Sequence, residues 1–219
     1  LDLPAVQVVG VCDVNDIIGR ARADEFGCPY YSDHRRLLEE AAPDVTVVLT
    51  PHPYHAAITI DALNAGSHVL VEKPMAADVG GAQRIVEAVE ADAMIEAAER
   101  NGRILAVNFQ QRFRPEIVAA RELIRSGALG ELHRVELVEP WMRPAAYYRS
   151  AGWRGTWRGE GGGVLLNQAP HGLDLLCHLA GMPKQVVAWT KTMRHAIETE
   201  DTLLAMVEYE SGALGTIYF

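Results

Sequence analysis

Through the first half of the chain, short runs rich in β-branched residues alternate with segments of helical pattern, and no other feature narrows the fold as much. Residues 6–12 (VQVVGVC) and 45–49 (VTVVL) are nearly continuous apolar runs, as strands covered on both faces require. Residues 15–26 read as a helix stopped by Gly27, and 28–31 as a short strand. Asp33 can cap a helix running to Ala41, because its carboxylate accepts from the free N–H groups of a first turn. A helix over 54–64 ended by Gly66, a strand over 68–71, a long alanine-rich helix from Asp78 to Arg100 and a strand over 104–107 complete the series. Strand and helix alternating at this spacing imply an α/β parallel sheet with helices on both faces, and right-handed crossovers make it doubly wound. Ligands of such sheets bind beyond the carboxyl ends of the strands. Those ends carry Asp13, Thr50-Pro51-His52 and Glu72-Lys73-Pro74.

The second half changes character. A helix over 115–126 ends at Gly127, and longer strands follow at 132–138, 185–193, 202–209 and 213–219. The last two meet at Ser211-Gly212, a hairpin-type turn. One helix, 170–179, interrupts them. This pattern predicts an α+β domain with a mostly antiparallel, open sheet. The expected division is 1–107 for the parallel-sheet domain and 108–219 for the second. The chain begins at Leu1 and runs almost at once into a strand, and it stops inside another. It therefore reads as a fragment truncated at both ends, with the opening strand and its glycine-rich loop missing.

The chain has 219 residues and a formal net charge of -9 without basic runs, which argues against nucleic acid or an anionic membrane as partner. No apolar run reaches the roughly 20 residues that span a bilayer. Cys12, Cys28 and Cys177 are odd in number and form no C-x-x-C pair, so they read as reduced thiols of a cytoplasmic protein. A targeting segment could have been lost with the start.

Several residues can carry chemistry, each with a plainer alternative. Asp13 can accept hydrogen bonds from the adenosine ribose hydroxyls, which favours NAD because a 2′-phosphate would be repelled; otherwise it caps a turn. Glu72-Lys73 is a charged pair at the end of a buried strand. Lys73 is either a proton carrier or half of a structural ion pair. Asn167, His171, Asp174 and His178, spaced four, three and four apart, share a helix face, although Pro170 puts Asn167 on the lead-in turn. His171 suits proton transfer, while His178 reads as structural. Trp153, Arg154, Trp157 and Arg158 suit stacking on a sugar face and binding hydroxyls or carboxylates, or they cover the core. Gly161-Gly162-Gly163 lacks a following Lys-Ser/Thr and reads as a close approach of backbone to a ligand or a neighbouring strand. His52-x-x-His55 is no zinc signature, and no metal site is read.

The run Val69-Leu70-Val71-Glu72-Lys73-Pro74, with Thr50-Pro51 upstream and Gly161-Gly162-Gly163 to His171 downstream, resembles the Gfo/Idh/MocA oxidoreductases over essentially the whole chain. The resemblance implies a Rossmann domain followed by an open-sheet domain. It implies hydride transfer between nicotinamide and a carbinol carbon of a sugar, inositol or derivative, with NAD as cofactor and NADP as the alternative. By the same resemblance Lys73 contacts substrate and cofactor, and His171 relays the proton. Thr50, Pro51, His52 and Glu72 line the cofactor, Trp153-Arg154 lies near nicotinamide and substrate, and Arg112 lies near the site. Asn167 then orients a substrate hydroxyl. The full-length protein is expected to be a homodimer or homotetramer.

Three departures stand out. His52 replaces the family's usual Asn. Asn167 replaces an Asp, and an amide cannot take a proton, which moves acid–base work to Lys73 and His171. The helix after Pro74 is also longer than usual, around Gly80 to Glu90. Two rivals remain: a member that retains its NAD through an oxidation, elimination or hydrolysis, and reduction cycle, and a non-catalytic NAD(P)-binding protein.

Overall fold

The computed structural model describes residues 5–76 and 84–219, the side chains of 84–88 excepted. The chain forms two compact units, with a break after Val107.

In the first unit, β1 (Val11–Cys12) leads to α1 (Asp16–Phe26), β2 (Tyr30–Tyr31), α2 (His34–Ala41) and β3 (Val45–Val48). A 3₁₀ turn (His52–Tyr54), α3 (His55–Asn64), β4 (His68–Val71), α4 (Arg84–Asn101) and β5 (Leu105–Val107) follow. Local chemistry explains the boundaries. Asn15 Oδ1 accepts from the N–H groups of Ile17 and Ile18, and Gly27 closes α1 at φ +64°. Asp33 caps α2 by accepting from Arg35 N at 2.9 Å. All ladders are parallel, with Val48 beside Val71 and Val71 beside Val107. Leu63 of α3, Met94 and Ala97 of α4, and Val48, Val69 and Val71 of the strands form the core. Each large side chain so buried contributes roughly 1.5–3 kcal/mol.

Two expectations are corrected. Residues 6–10 are not strand: β1 is only Val11–Cys12, paired with β2. Nor is β3 covered on both faces, since Val45, Val47 and Leu49 are exposed. The first has a topological reason. The ladders β1–β2 and β3–β4–β5 take the places of strands 2 and 3, and of 4 to 6, in the order 3-2-1-4-5-6. No strand stands between them among the described residues, so residues 6–10 lack a neighbour. In β3 the exposed side chains alternate onto one face of the strand, and Val48 on the other face is buried. The predicted helix start at Asp78 and the extra length near Gly80 lie outside the described residues.

In the second unit a 3₁₀ turn (Gln110–Phe113) precedes α5 (Pro115–Arg125), whose Pro115 needs no N–H partner at the first helical position. Then come β6 (Arg134–Val138), α6 (Ala145–Arg149), α7 (Trp157–Glu160), α8 (Val164–Asn167), α9 (Pro170–Ala180), β7 (Pro183–Lys191), β8 (Thr202–Tyr209) and β9 (Leu214–Tyr218). The sheet order is β6-β9-β8-β7. β7–β8 and β8–β9 are antiparallel, while β6 joins β9 in parallel. Strand alternation sends Leu203, Ala205, Val207, Tyr209 and Ile217 inward against Val164, Ala169 and Leu176. On the other face Val138, Tyr218, Leu204 and Trp189 line up in register across all four strands, with Leu204 48% and Trp189 52% exposed. The helices α6, α7 and α8 were not legible as helices in the sequence.

Candidate active site

In the first unit the predicted residues stand where three parallel strands end. Asp13 follows β1; its Oδ1 accepts from Asn15 N at 2.8 Å, and its carbonyl accepts from the Tyr30 hydroxyl at 2.8 Å. The turn-capping use of Asp13 is thus present. Thr50-Pro51-His52 follows β3, and the Thr50 hydroxyl is buried with no hydrogen-bond partner among the described residues. Glu72-Lys73-Pro74 follows β4: Glu72 N donates to Val48 O at 3.0 Å, and the Glu72 carboxylate accepts from Lys73 N at 3.1 Å. Lys73 itself is half-buried.

His55 ties the two larger clusters together. It opens α3 with 0% exposure, Nε2 lying 2.7 Å from Thr50 O and Nδ1 2.8 Å from Pro74 O. Both neighbours are carbonyl oxygens, which only accept. The ring thus bridges the backbone that follows β3 and the backbone that follows β4. The His52 ring packs edge-on against it at 5.7 Å.

In the second unit His171 lies in the first turn of α9, half-buried, with its ring edge-to-face with Phe109 at 6.0 Å. Arg112 forks onto Asp174, Nε to Oδ2 at 2.7 Å and Nη2 to Oδ1, and its guanidinium also covers the Phe109 ring. Arg112, Phe109, His171 and Asp174 are therefore one cluster. His178, one turn further along α9, is held below the ordinary histidine range by burial and by the cations Arg121 and Arg112.

Asn167 does something other than face a ligand with its whole amide. Its Nδ2 donates to Gly162 O at 3.0 Å and Gly163 O at 3.3 Å, fixing the glycine turn. That turn approaches residue 200 closely: Val164 N donates to Glu200 O at 2.9 Å, and Gly163 N and Leu165 N to the Glu200 carboxylate. A Cβ at Gly163 would lie 1.8 Å from Glu200 O. Gly163 thus serves close approach to a neighbouring segment, one of the two readings the sequence left open, whereas Gly161 closes α7 in the left-handed region at φ +77° and Gly162 packs under Leu166 of α8.

Trp153 and Arg154 belong to a stack. The Arg154 guanidinium lies 4.5 Å from the Trp153 ring and 4.2 Å from Tyr147, and Arg143 covers the same Tyr147 ring at 4.9 Å and Trp141 at 5.3 Å. Beneath the stack Glu160 is 4% exposed, accepts from Gly155 N at 2.5 Å and sits 3.8 Å from Arg154. Burial pushes its carboxyl up; the Gly155 N–H and the Arg154 charge oppose that shift.

Residues 2–109 match the family model described as oxidoreductase family, NAD-binding Rossmann fold, and residues 117–219 match the GFO/IDH/MocA C-terminal domain. The chain belongs to the Gfo/Idh/MocA family. Among Gfo/Idh/MocA relatives it is 31% identical to a 1-carboxy-3-chloro-3,4-dihydroxycyclohexa-1,5-diene dehydrogenase of Comamonas testosteroni, over 98% of this chain and 51% of that protein. It is 28% identical to D-glucoside 3-dehydrogenase of Escherichia coli K12, over 95% of this chain and 61% of that one. The WlbA dehydrogenase of Chromobacterium violaceum, solved with NADH and UDP-GlcNAcA, superposes with a TM-score of 0.86 at 32% identity, over 97% of this chain and 59% of that chain. The chain thus spans between half and two thirds of the length of these relatives.

Two features of this Gfo/Idh/MocA chain escaped the sequence reading. His55 carried no motif of its own; the only signal was a histidine opening a helix beside Thr50-Pro51. Arg143 was signalled by the cation–aromatic interleaving of Trp141-Met142-Arg143 and Tyr147-Tyr148-Arg149, which was passed over.

Proposed function

We propose that this protein is a nicotinamide-dependent dehydrogenase that moves hydride between NAD(P) and a carbinol carbon of a sugar, inositol or sugar derivative. The observation that carries the reading is the pair of strand-end segments, Thr50-Pro51-His52 after β3 and Glu72-Lys73-Pro74 after β4, on adjacent strands of a parallel sheet and tied through His55. Family membership and relatives that are dehydrogenases support it.

The residues present fit a dinucleotide. Among the described residues, Thr50 offers a buried hydroxyl without a partner, and the Asp13 carboxylate that ends β1 accepts from the local turn at Asn15 N. Thr50, Pro51, His52 and Glu72 would hold the cofactor, with Trp153-Arg154 near its nicotinamide, and Asp13 would take the ribose hydroxyls and favour NAD over NADP. The bound nicotinamide supplies the hydride chemistry, and the protein supplies position and electrostatics.

Lys73 and His171 are the proton-handling groups of this reading. Asn167 donates from its amide nitrogen to the glycine turn and so acts as a positioning residue there. Arg112 keeps the N–H donors that Asp174 does not use for a substrate oxygen. Trp153 and Arg154 offer a flat ring and a cation to the sugar. In the assembled protein the apolar row Val138, Tyr218, Leu204 and Trp189 mediates self-association.

The test follows nicotinamide absorbance in the full-length protein, with NAD or NADP, against inositols, aldoses, glycosides and sugar acids. Turnover with NAD supports the reading, and Lys73→Ala should then lower kcat by roughly 10²- to 10⁴-fold. Unchanged turnover in that variant would remove Lys73 from the chemistry. Tight cofactor binding without net reduction would favour the retained-NAD cycle or the non-catalytic binder instead.

A further inference from the structure

In the second unit a cavity of about 250 Å³ opens between the residues after β6, the α8–α9 segment and the β7–β8 connection. Its walls include Trp141, Arg143, Tyr148, Gln168, Arg194 and His195. Two of these are arginines. Neither has a carboxylate partner among the described residues, whereas Arg112 and Arg154 are both paired. The Arg143 guanidinium lies over two flat rings, Trp141 at 5.3 Å and Tyr147 at 4.9 Å, and its Nε is buried without a hydrogen-bond partner among the described residues. Stacking engages the faces of a guanidinium and leaves its N–H groups, which lie in the plane, unused. A buried donor without an acceptor is costly to keep, and a carboxylate or phosphate offers the forked acceptor that matches it.

The opposite wall is tied in place. Asp201 accepts from the N–H groups of Met193 at 2.8 Å, Arg194 at 2.9 Å and His195 at 2.8 Å, and from the Thr202 hydroxyl at 3.0 Å. This closes the β7–β8 connection into a tight loop that presents the Arg194 and His195 side chains, the His195 ring packing on Tyr148 at 4.8 Å. Asp201 also lines the cavity, but its charge is spread over four donors, and two arginines outnumber it. Two links join the cavity wall to the substrate-side residues: Gln168 follows Asn167 in the chain, and Arg143 shares the Tyr147 ring with Arg154.

We propose that this cavity is an anion-recognition subsite, in which Arg143 and Arg194 take a carboxylate or phosphate while Trp141 and Tyr148 bound the body of the ligand, so that the substrate is an acidic sugar derivative rather than a neutral polyol. This specifies the substrate class and rests on the dehydrogenase reading above.

The experiment compares glucose, glucuronate and a hexose phosphate as substrates of the full-length protein, and measures binding of glucuronate and of inorganic phosphate by calorimetry, which needs no turnover. Wild type should favour the acidic member, and the acidic-to-neutral ratio of kcat/KM should fall roughly 10- to 100-fold in Arg194→Met and in Arg143→Met. Arg143→Lys, which keeps the charge and loses the fork, should fall between. Preference for glucuronate identifies a carboxylate subsite, and preference for the hexose phosphate a phosphate subsite. An acidic-to-neutral ratio near one that neither variant moves would overturn the proposal and leave the dehydrogenase standing. If no sugar is turned over, the dehydrogenase reading fails by itself. Calorimetry then still decides: glucuronate or phosphate binding lost in Arg194→Met supports the subsite, and no binding to wild type removes it.

Discussion

With a carbonyl oxygen against each ring nitrogen, His55 cannot be replaced by an apolar residue of similar size without stranding two buried acceptors. Each such group costs about 1–3 kcal/mol, so His55→Leu should lower the unfolding free energy by about 2–5 kcal/mol in urea titrations of the full-length protein. A loss within error would mean that the two carbonyls find other donors. Asp13 carries a prediction of a different kind. If its carboxylate meets the ribose, Asp13→Ala should lower the ratio of kcat/KM for NAD over NADP by about ten-fold, one to two kcal/mol of charged hydrogen bonding. An unchanged ratio would leave it as a turn cap only. Lys73, Glu72 and His171 were singled out in the sequence because short motifs mark their chain positions. The Asn167 hydrogen bonds were not, since its partners are the backbone carbonyls of Gly162 and Gly163, which no side-chain pattern records. His55 stayed hidden for the same reason.

Among the elements, the glycine turn before α8 and the β7–β8 loop make the sharpest demands. Gly163→Ala would push a methyl group into Glu200 O, and the shift this forces should cost about 1–3 kcal/mol, readable as a lower thermal midpoint. Asp201 makes the β7–β8 loop sensitive to acid. Burial pushes its carboxyl up, but the N–H groups of Met193, Arg194 and His195 and the Thr202 hydroxyl outweigh burial and hold it below the ordinary value of 3.8. The native state therefore gains stability from the ionised form above that value and loses it as pH falls through the lower native one. Asp201→Asn should flatten the acid limb of the stability profile, and an unaltered limb would assign the acid sensitivity elsewhere. Strands β4 and β8 matched their apolar runs because alternation and chain turns set their limits. The short helices α6, α7 and α8 did not, because tertiary contacts such as Trp157 N to Glu198 and Gly163 N to Glu200 hold them in place of intrinsic propensity.

Across the whole molecule, the proposed self-association is tested on the exposed apolar row of the second sheet. Trp189→Glu with Leu204→Glu places two charges in register on adjacent strands, and the full-length protein should shift to monomer in light scattering while keeping its circular dichroism. An unchanged mass would send the association elsewhere. The connectivity of that sheet also bears on how the protein is made. In the first unit each ladder joins strands separated by little more than one helix, so its pairings can form as the chain leaves the ribosome. In the second, Arg134 of β6 lies beside Leu214 of β9, and everything from α6 to β8 intervenes. Closing so long a loop costs entropy that is recovered only when β9 arrives. Strand β6 therefore spends much of synthesis as an apolar segment without its partner, the interval in which a nascent chain depends most on chaperones.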